Sequence, residues 1–448
     1  MTTLDLVIRA RRMVSTTGLV PAVVGVKDGR IVSIEPYDTA HEDHGTAHEG
    51  HSANAREVVE LGDDEVLFPG LVDSHVHVND PGRTDWEGFT SATRAAAAGG
   101  VTTLIDMPLN CLPETTTVAA LRIKQQAAEG NCHVAVGFWA GVVPDNLAHL
   151  EPLAAAGVTG FKCFLADSGN PNFEHLTPAQ FRTAMARIAE LDAVLLVHAE
   201  SAHVITDSPS AHGRGYASFA DSRPDAAEED AVALVVNTAA ETGARAHVVH
   251  VSSARVLALL AEAKRSGVSV TAETCPHYLT FEAEAIPDGA TEFAVCPPIR
   301  SGANRERLWA ALRDGTLDMI VSDHSPCAPE LKGHGDFGRV FGGISSLQLA
   351  PRAAWTQAAQ RGVGLAALSR WMSSAPAALA GFTDRGRIEV GLRADLCAFA
   401  PDVEEVVHVD RLRHRHPVSP YDGVALRGSV LQTWVAGESV YARVSEPV

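Results

Sequence analysis

The sequence predicts an α/β protein in which a (β/α)8 barrel carries a small β-sandwich built from both ends of the chain. In the middle of the chain, short apolar, β-branched runs alternate with alanine-rich helical stretches. Shorter β-like runs precede and follow that region. Alternating strand and helix patterns favour parallel βαβ units, and eight of them close a barrel better than they form an open sheet. We expect the small domain over residues 1–67 plus 387–448 and the barrel over 68–386.

The N-terminal region has the pattern of short strands. Between Leu4 and Val66, runs such as Leu6-Val7-Ile8 are separated by Gly and Asp, which is typical of strands joined by turns. A polar segment from Asp38 to Ala55 interrupts the pattern and carries His41, His44, His48 and His51. A histidine-rich tract can bind metal. Because this one has no large apolar residue to fix it, we expect a solvated loop without a dedicated metal.

The barrel region contains eight candidate strands, each followed by a helical stretch. The candidate strands are Leu71–Val76, Thr102–Met107, Val134–Phe138, Gly160–Phe164, Val194–His198, Ala246–Val251, Val268–Glu273 and Met319–Asp323. The helical stretches include Trp86–Ala98, Thr177–Leu191, Pro224–Thr242 and Asn304–Arg313.

The C-terminal region returns to a β pattern from Gly386 onward. Its strongest runs are Asp395-Leu396-Cys397-Ala398-Phe399 and Val430-Leu431-Gln432-Thr433-Trp434-Val435. Two β-rich ends that flank one barrel indicate that the termini meet in a single small sandwich.

Composition excludes several classes of partner. The chain has 448 residues, 46% hydrophobic and 20% charged, as in soluble globular proteins. Its net charge of −19 repels phosphate backbones and anionic lipid, so we expect it to bind neither nucleic acid nor a membrane. The expected partner is a small molecule. No apolar run approaches the roughly 18 residues of a membrane helix, and the first residues lack a basic and apolar pattern, so we expect neither a membrane anchor nor an export signal. Seven scattered cysteines without a C-x-x-C pair predict a reduced, cytoplasmic protein.

Metal-ligating residue types lie at the carboxyl ends of the predicted strands, where a barrel places its active site. His75 and His77 close the first strand, and their spacing puts both side chains on one face. Lys162 lies inside the apolar fourth strand, where an unpaired ammonium is costly to bury. It therefore needs a partner or a chemical change.

Three more such residues follow other strands. His198 ends the fifth strand, His250 the sixth and Asp323 the eighth. Singly, such residues are more often structural. Six ligand-type residues at the ends of five strands of one barrel nevertheless indicate a common site.

The chemistry of this set is that of a hydrolytic metal centre. Imidazoles and carboxylates bind zinc-like divalent ions, which bring the pKa of a bound water to about 7. If CO2 carbamylates Lys162, the cation becomes an anionic group able to bridge two metals roughly 3.5–4 Å apart. Asp323 then accepts the proton of the bridging hydroxide and delivers it to the leaving nitrogen.

These residues resemble the amidohydrolase superfamily, and within it the cyclic-amide hydrolases that include allantoinases, dihydroorotases and hydantoinases. The resemblance covers nearly the whole chain. It implies that His75, His77, Lys162, His198, His250 and Asp323 bind two divalent metal ions, with Lys162 carbamylated. Zinc is the expected ion, and cobalt, manganese and iron are compatible with the same ligands. The resemblance also implies a homotetramer.

Positions that would contact substrate indicate which branch of the family the chain resembles. Dihydroorotases hold their substrate carboxylate with an arginine, an asparagine and a histidine, and the matching positions here are Asn79, Leu109 and Cys327. A substrate carboxylate would therefore lose several charge-assisted hydrogen bonds. The segments 79–89, 106–110, 161–165, 322–327 and 336–349 resemble the allantoinase branch instead, apart from Phe341, where tryptophan is expected.

The resemblance thus predicts hydrolysis of the hydantoin ring amide of allantoin to allantoate, with Asp323 as general base and acid. A neutral ring suits a pocket of amides, hydroxyls and backbone groups. Residues on the matching loops are candidate substrate contacts: Asn79, Asn110, Cys296, Pro298 and Ser322. For Asn110, a purely structural turn role is an equal alternative.

Two other readings stay open at this point. One is a hydantoinase or dihydropyrimidinase-like enzyme acting on a different neutral ring. The other is a non-catalytic barrel, which the six filled ligand positions argue against.

Overall fold

The structure is a computed structural model that describes residues 3–37 and 55–443. The histidine-rich segment that the sequence predicts to be a loop lies outside these residues. Strands and helices are numbered separately below, in chain order.

The strands are β1 (Leu4–Ser15), β2 (Gly18–Lys27), β3 (Arg30–Pro36), β4 (Ala55–Glu60), β5 (Val66–Pro69), β6 (Leu71–Val76), β7 (Val101–Asp106), β8 (Ala135–Phe138), β9 (Ala140–Gly141), β10 (Phe161–Phe164), β11 (Val194–His198), β12 (Arg245–Val248), β13 (Val270–Thr274), β14 (Met319–Ile320), β15 (Leu396–Val406), β16 (Ala425–Val435) and β17 (Glu438–Ala442).

The α-helices are α1 (Phe89–Ala98), α2 (Val118–Ala128), α3 (Leu150–Ala155), α4 (Pro178–Glu190), α5 (Ala202–Asp207), α6 (Tyr216–Asp221), α7 (Asp225–Thr242), α8 (Leu257–Arg265), α9 (Pro276–Thr280), α10 (Gly302–Asp314), α11 (Ala350–Gln360), α12 (Leu365–Ser369) and α13 (Ala375–Leu379). None of the helices in the described ranges is long and apolar enough to cross a membrane.

The predicted barrel is present. Strands β6, β7 and β8 pair in parallel, and β9 to β14 continue the parallel order. Only Trp139 separates β8 from β9, so the two are pieces of one barrel strand. A parallel bridge between Val76 and His324 joins the first strand to the last, and the His77 amide donates to the His324 carbonyl at 2.8 Å. The ring of eight strands is thereby closed.

The two ends of the chain form the predicted small β domain. One half is the strand order β17-β16-β15-β5, and the other is β1-β2-β3 with β4 paired to β1. The halves join where Met13 pairs with Leu67 and where an antiparallel bridge connects Arg30 to Arg393. Buried side chains from both halves, including Ile8, Val24 and Trp434, share one apolar core. The two ends of the chain therefore form the predicted small sandwich.

Local signals explain where several helices begin and end. Thr177 and Gln180 form a reciprocal capping box at the start of α4. The predicted helical stretch also begins at Thr177. Helix α1 begins at Phe89 rather than at the predicted Trp86, because Gly88 has a φ of 107° and its amide donates to the Val78 carbonyl.

Candidate metal centre and active site

All six predicted metal ligands lie at the carboxyl end of the barrel. His75 is in β6, Lys162 is in β10 and His198 is the last residue of β11. The other three, His77, His250 and Asp323, follow β6, β12 and β14 within three residues. Each of the six is buried. The structure therefore brings together the whole set that the strand ends predicted.

Two of these residues have unusual backbone conformations. His250 has a φ of 37° and Asp323 a φ of 43°, both in the left-handed region. Their strands end at Val248 and Ile320, two or three residues before the functional side chain. Non-glycine residues pay a conformational cost there, and such residues concentrate at functional sites. Both side chains line one cavity at this end of the barrel.

The side chains form one compact cluster. Asp323 Oδ1 lies 3.3 Å from His75 Nε2 and 3.7 Å from His77 Nε2. On the other side, His198 Nδ1 lies 3.0 Å from His250 Nε2. The rings of His75 and His250 are 5.5 Å apart, so the two groups of ligands adjoin.

Lys162 lies within this cluster without a conventional partner. Its side chain is 1% exposed, and its ammonium makes no hydrogen bond or ion pair with any described residue. The nitrogen lies 5.2 Å from the centre of the Phe164 ring. Burial lowers the pKa of Lys162 to about 8. Such an amine suits chemical conversion better than a permanent positive charge.

The electrostatics of the cluster fit a bound cation. Burial lowers the pKa of all four histidines, that of His75 to about 4, so they are neutral near pH 7 and have lone pairs to donate. Buried Nδ1 atoms of His77 and His250 have no partner in the described residues. Ligand atoms of His75, His77 and Asp323 lie within 4.8 Å of one another. This donor set suits a divalent ion.

Glu273, which the sequence analysis did not single out, supports the cluster from behind. Its carboxylate lies 2.5 Å from His75 Nδ1 and 2.9 Å from His247 Nε2. It also accepts the His250 amide at 3.4 Å. Burial would raise the pKa of Glu273, but the two imidazoles hold it well below its usual range. The sequence signal was a carboxylate at the end of the predicted seventh strand.

A second buried carboxylate holds His198. Glu200 Oε2 lies 2.7 Å from His198 Nε2 and 2.7 Å from Arg223 Nη1. Burial opposes ionisation, yet Arg223 and His198 lower the pKa of Glu200 to about 2. Glu200 stands two residues after a predicted ligand, whereas its arginine partner comes from another part of the chain and had no sequence signal.

The cluster forms the floor of a cavity of about 400 Å³. The walls combine apolar and polar groups and include few charges beyond the ligands. They are contributed by Leu109, Asn110, Phe164, Asp167, Ser168, Gly169, Ile205, Phe219, Arg223, Val295, Cys296, Ser325, Val340, Phe341, Gly342 and Gly343. A small molecule with amide groups would find both apolar contacts and hydrogen-bonding partners here.

The candidate substrate contacts divide into two groups. Asn110 and Cys296 line the cavity. The other three make hydrogen bonds outside its lining: Asn79 Nδ2 donates to the Pro326 carbonyl at 2.9 Å, Ser322 Oγ accepts the His324 amide at 3.0 Å, and the Pro298 carbonyl accepts Ser252 Oγ at 2.5 Å.

Comparison with known proteins shows which family the chain belongs to. Residues 66–440 match the profile of the amidohydrolase family. A curated allantoinase of Streptomyces avermitilis is 49% identical over 442 residues, covering 99% of this chain and 96% of the relative. The allantoinase of Arabidopsis thaliana is 43% identical over 452 residues, covering 97% and 87%. The solved L-hydantoinase of Arthrobacter aurescens superposes with a TM-score of 0.90 at 29% identity, covering 100% of this chain and 98% of that one.

Proposed function

The chain belongs to the amidohydrolase family and is a hydrolase of cyclic amides, and we propose that it opens the hydantoin ring of allantoin to give allantoate. The observation that carries this function is full-length similarity to curated allantoinases from a bacterium and a plant. The substrate is a small molecule, and the catalytic cavity is of a size that holds one.

The character of the cavity supports a neutral ring. Leu109, which lines the cavity, stands where a dihydroorotase would have a carboxylate-binding asparagine. The other two matching positions, Asn79 and Cys327, likewise carry no positive charge. A ring with a carboxylate would enter without these charge-assisted contacts, whereas allantoin has none to satisfy.

The enzyme uses divalent metal, and the finer assignment is our proposal. Two ions, zinc in the first instance, would be held by the four histidines, Asp323 and a carbamate formed on Lys162. The bound metal would supply an activated water and polarise the ring carbonyl. Support comes from the neutral imidazoles, the partnerless ammonium of Lys162 and the convergence of ligand atoms on Asp323.

Asp323 has the role of proton carrier in this proposal. Its carboxylate lies at the cavity floor, within 4 Å of both His75 and His77. It would take the proton from the attacking water and pass it to the ring nitrogen as the amide bond breaks. Glu273 holds His75 so that Nε2 faces the same point. Asn110 and Cys296 stay candidate contacts for the ring, together with Asn79, Ser322 and Pro298 on adjoining loops.

A homotetramer in the cytoplasm completes the proposal. All seven cysteines are free thiols, which accords with a reducing compartment. Sedimentation equilibrium on the purified protein would measure the mass of the assembly directly.

The test of function is a comparison of three rings. Initial ring-opening rates would be measured on allantoin, dihydroorotate and unsubstituted hydantoin, with divalent metal and bicarbonate supplied. We expect turnover of allantoin and none of dihydroorotate. Turnover of dihydroorotate would contradict the argument from Asn79, Leu109 and Cys327. Inactivity on all three would contradict the proposed function.

The test of the metal site is substitution of the lysine. Lys162→Ala removes the amine that would carry the carbamate, so we expect loss of both activity and bound metal, measured by elemental analysis. Full activity with two metals retained would contradict the bridging role of Lys162.

A further inference from the structure

Residues Phe341, Gly342 and Gly343 form one wall of the cavity, called the cavity wall below. The segment belongs to no helix or strand. Its ends are fixed by backbone hydrogen bonds, from the Phe341 amide to the Leu331 carbonyl and from the Gly343 amide to the Ala294 carbonyl, both 2.8 Å. Within the described part of the chain, the N–H and C=O of Gly342 make no hydrogen bond. The middle of the wall is therefore available to a molecule in the cavity.

The cavity wall lies directly against the loop that carries Asp323. Gly343 has a φ of 147°, and a Cβ atom there would lie 2.1 Å from the Ser325 carbonyl oxygen. The Ser325 amide donates to the Ile344 carbonyl at 3.0 Å. Ser325 is only two residues beyond Asp323, so displacement of the wall changes the space next to the proposed proton carrier.

One lysine outside the cavity lining bonds to both ends of the wall. Lys332 Nζ donates to the Gly343 carbonyl at 2.5 Å and to the Phe341 carbonyl at 3.4 Å. Burial lowers the pKa of Lys332, and Cys327 and Glu292 oppose that change. In the described residues no carboxylate lies within ion-pair distance of this ammonium, whose partners are the two backbone carbonyls and the Cys327 side chain.

Other lysines of the protein that contact backbone carbonyls also have a carboxylate. Lys124 donates to the Met107 carbonyl and pairs with Asp106 at 2.6 Å. Lys264 donates to two carbonyls and pairs with Asp318 at 2.6 Å. Burying an ammonium without a carboxylate costs more free energy than burying one with it. Lys332 is partly buried, as Lys264 is, but it is bonded to two carbonyls of one loop segment and has no carboxylate in the described residues.

We propose that Lys332 is a positioning residue for substrate binding: by holding the Phe341 and Gly343 carbonyls it fixes the cavity wall at the distance from Asp323 that the ring requires. The inference rests on the proposed function for the identity of the ring. It assigns Lys332 no contact with substrate, because Lys332 is not among the residues that line the cavity and its ammonium is bonded to the Phe341 and Gly343 carbonyls.

The side chain of Phe341 gives the wall a second anchor that is independent of Lys332. Its ring packs edge-on against Trp86 with centroids 5.2 Å apart, and Arg83 lies over the same tryptophan at 4.7 Å. Loss of the lysine would thus loosen the wall without releasing it. We expect variants of Lys332 to fold.

The test compares Lys332→Met with Lys264→Met, which removes a lysine of similar bonding on a different part of the barrel. For Lys332→Met, loss of charge-assisted hydrogen bonds should raise KM for allantoin by about tenfold or more, with a much smaller change in kcat and unchanged metal content. Lys332→Arg, which restores a cationic donor, should recover most of the lost affinity. Lys264→Met should leave KM unchanged.

Amide hydrogen exchange supplies a readout that does not depend on activity. The peptide covering residues 341–343 should exchange faster in Lys332→Met than in the unaltered protein, and Lys264→Met should not change it. If KM and exchange are both unaltered in Lys332→Met, or if kcat and metal content fall with KM unchanged, the positioning role is wrong. Should Lys332→Met not fold, Lys332→Gln is measured by the same criteria.

The two proposals fail in different ways. If the unaltered enzyme does not open allantoin, the proposed function is wrong, and the exchange comparison still decides whether Lys332 holds the wall. If the enzyme opens allantoin and the Lys332 variants match it in KM and exchange, only the positioning role is wrong.

Discussion

Replacing Asp323 should lower the turnover of allantoin far more than it weakens substrate binding. Asp323→Asn keeps the size of the side chain and one oxygen at the cavity floor but cannot accept a proton. Because general acid–base catalysis contributes about 10²–10⁴-fold, we expect kcat for allantoin to fall by about that factor with little change in KM. Steady-state kinetics with metal analysis on the same sample would check this. A near-normal kcat would remove Asp323 from the proton-transfer role.

Glu273 should act through His75 rather than on substrate. Its carboxylate accepts hydrogen bonds from His75, His247 and the His250 amide, and Glu273→Gln replaces one acceptor oxygen by a donor. We expect metal affinity to fall by about 10–100-fold, the usual effect of losing such a supporting group. Chelator competition would measure it. Glu262→Gln, on an exposed carboxylate paired with Arg265, is the control and should leave metal affinity unchanged.

At the scale of strands and helices, periodicity predicted the eight barrel strands and the order of the ligands along them. It did not predict where the strands carrying His250 and Asp323 end. Both residues adopt left-handed backbone, which no apolar pattern encodes because it depends on how the neighbouring strands pack around the site. Both strand ends were therefore predicted three residues too late, although the ligands themselves were found.

The sequence could not predict which side chains from distant elements pair or hydrogen-bond with the site residues. Glu200 was visible as a carboxylate near His198, but its pairing with Arg223 depends on the path of the chain through two short helices, α5 and α6. Likewise, Asn79 and Ser322 stand on the loops predicted to reach substrate, yet their side chains bond to neighbouring loop residues. Loop position follows from topology, whereas side-chain direction follows from packing.

A buried ion pair joins the ends of two barrel strands. Lys124 on α2 pairs with Asp106, the last residue of β7, and donates to the Met107 carbonyl. Asp106 in turn accepts the Val78 amide, just beyond β6, at 2.8 Å. Burial alone would lower the pKa of Lys124, and the Asp106 carboxylate more than reverses this. The pair thus fixes the loop that leads into Leu109 and Asn110.

Removing one member of this pair should be costly. Lys124→Met leaves the Asp106 carboxylate buried without its cation, so we expect the free energy of unfolding to fall by about 3–5 kcal/mol, measured by urea denaturation. The double variant Lys124→Met, Asp106→Asn removes both charges and keeps an acceptor for Val78, so it should recover much of the loss. A single variant as stable as the unaltered protein would contradict a stabilising pair.

At the scale of the whole molecule, the small domain reaches back to the active-site end of the barrel. The connection between β15 and β16 covers residues 407–424. Within it, the Arg415 amide donates to the buried Glu87 carboxylate at 3.2 Å and Ser419 Oγ donates to the Ser345 carbonyl at 2.7 Å. Glu87 in turn faces His324, next to Asp323, at 3.4 Å. Both domains therefore contribute to the order of the catalytic loops.

His414, in the middle of this connection, should make the stability of the molecule depend on pH. Its ring is buried beside His324, with centroids 5.8 Å apart, and burial lowers its pKa from 6.5 to about 4. In the unfolded chain the pKa is close to 6.5. Between pH 6.5 and 4, unfolding therefore takes up a proton at this site, and stability falls as the pH falls.

Replacing that histidine should weaken the pH dependence. In His414→Phe the proton uptake is absent, so the loss of unfolding free energy on acidification from pH 6.5 to 4 should be shallower by up to about 1.4 kcal/mol per pH unit. Urea denaturation at a series of pH values would give both slopes. His203→Phe, at a histidine whose side chain is 80% exposed, is the control and should keep the slope of the unaltered protein. Equal slopes for His414→Phe and the unaltered protein would mean that the connection opens and exposes His414 before the barrel unfolds.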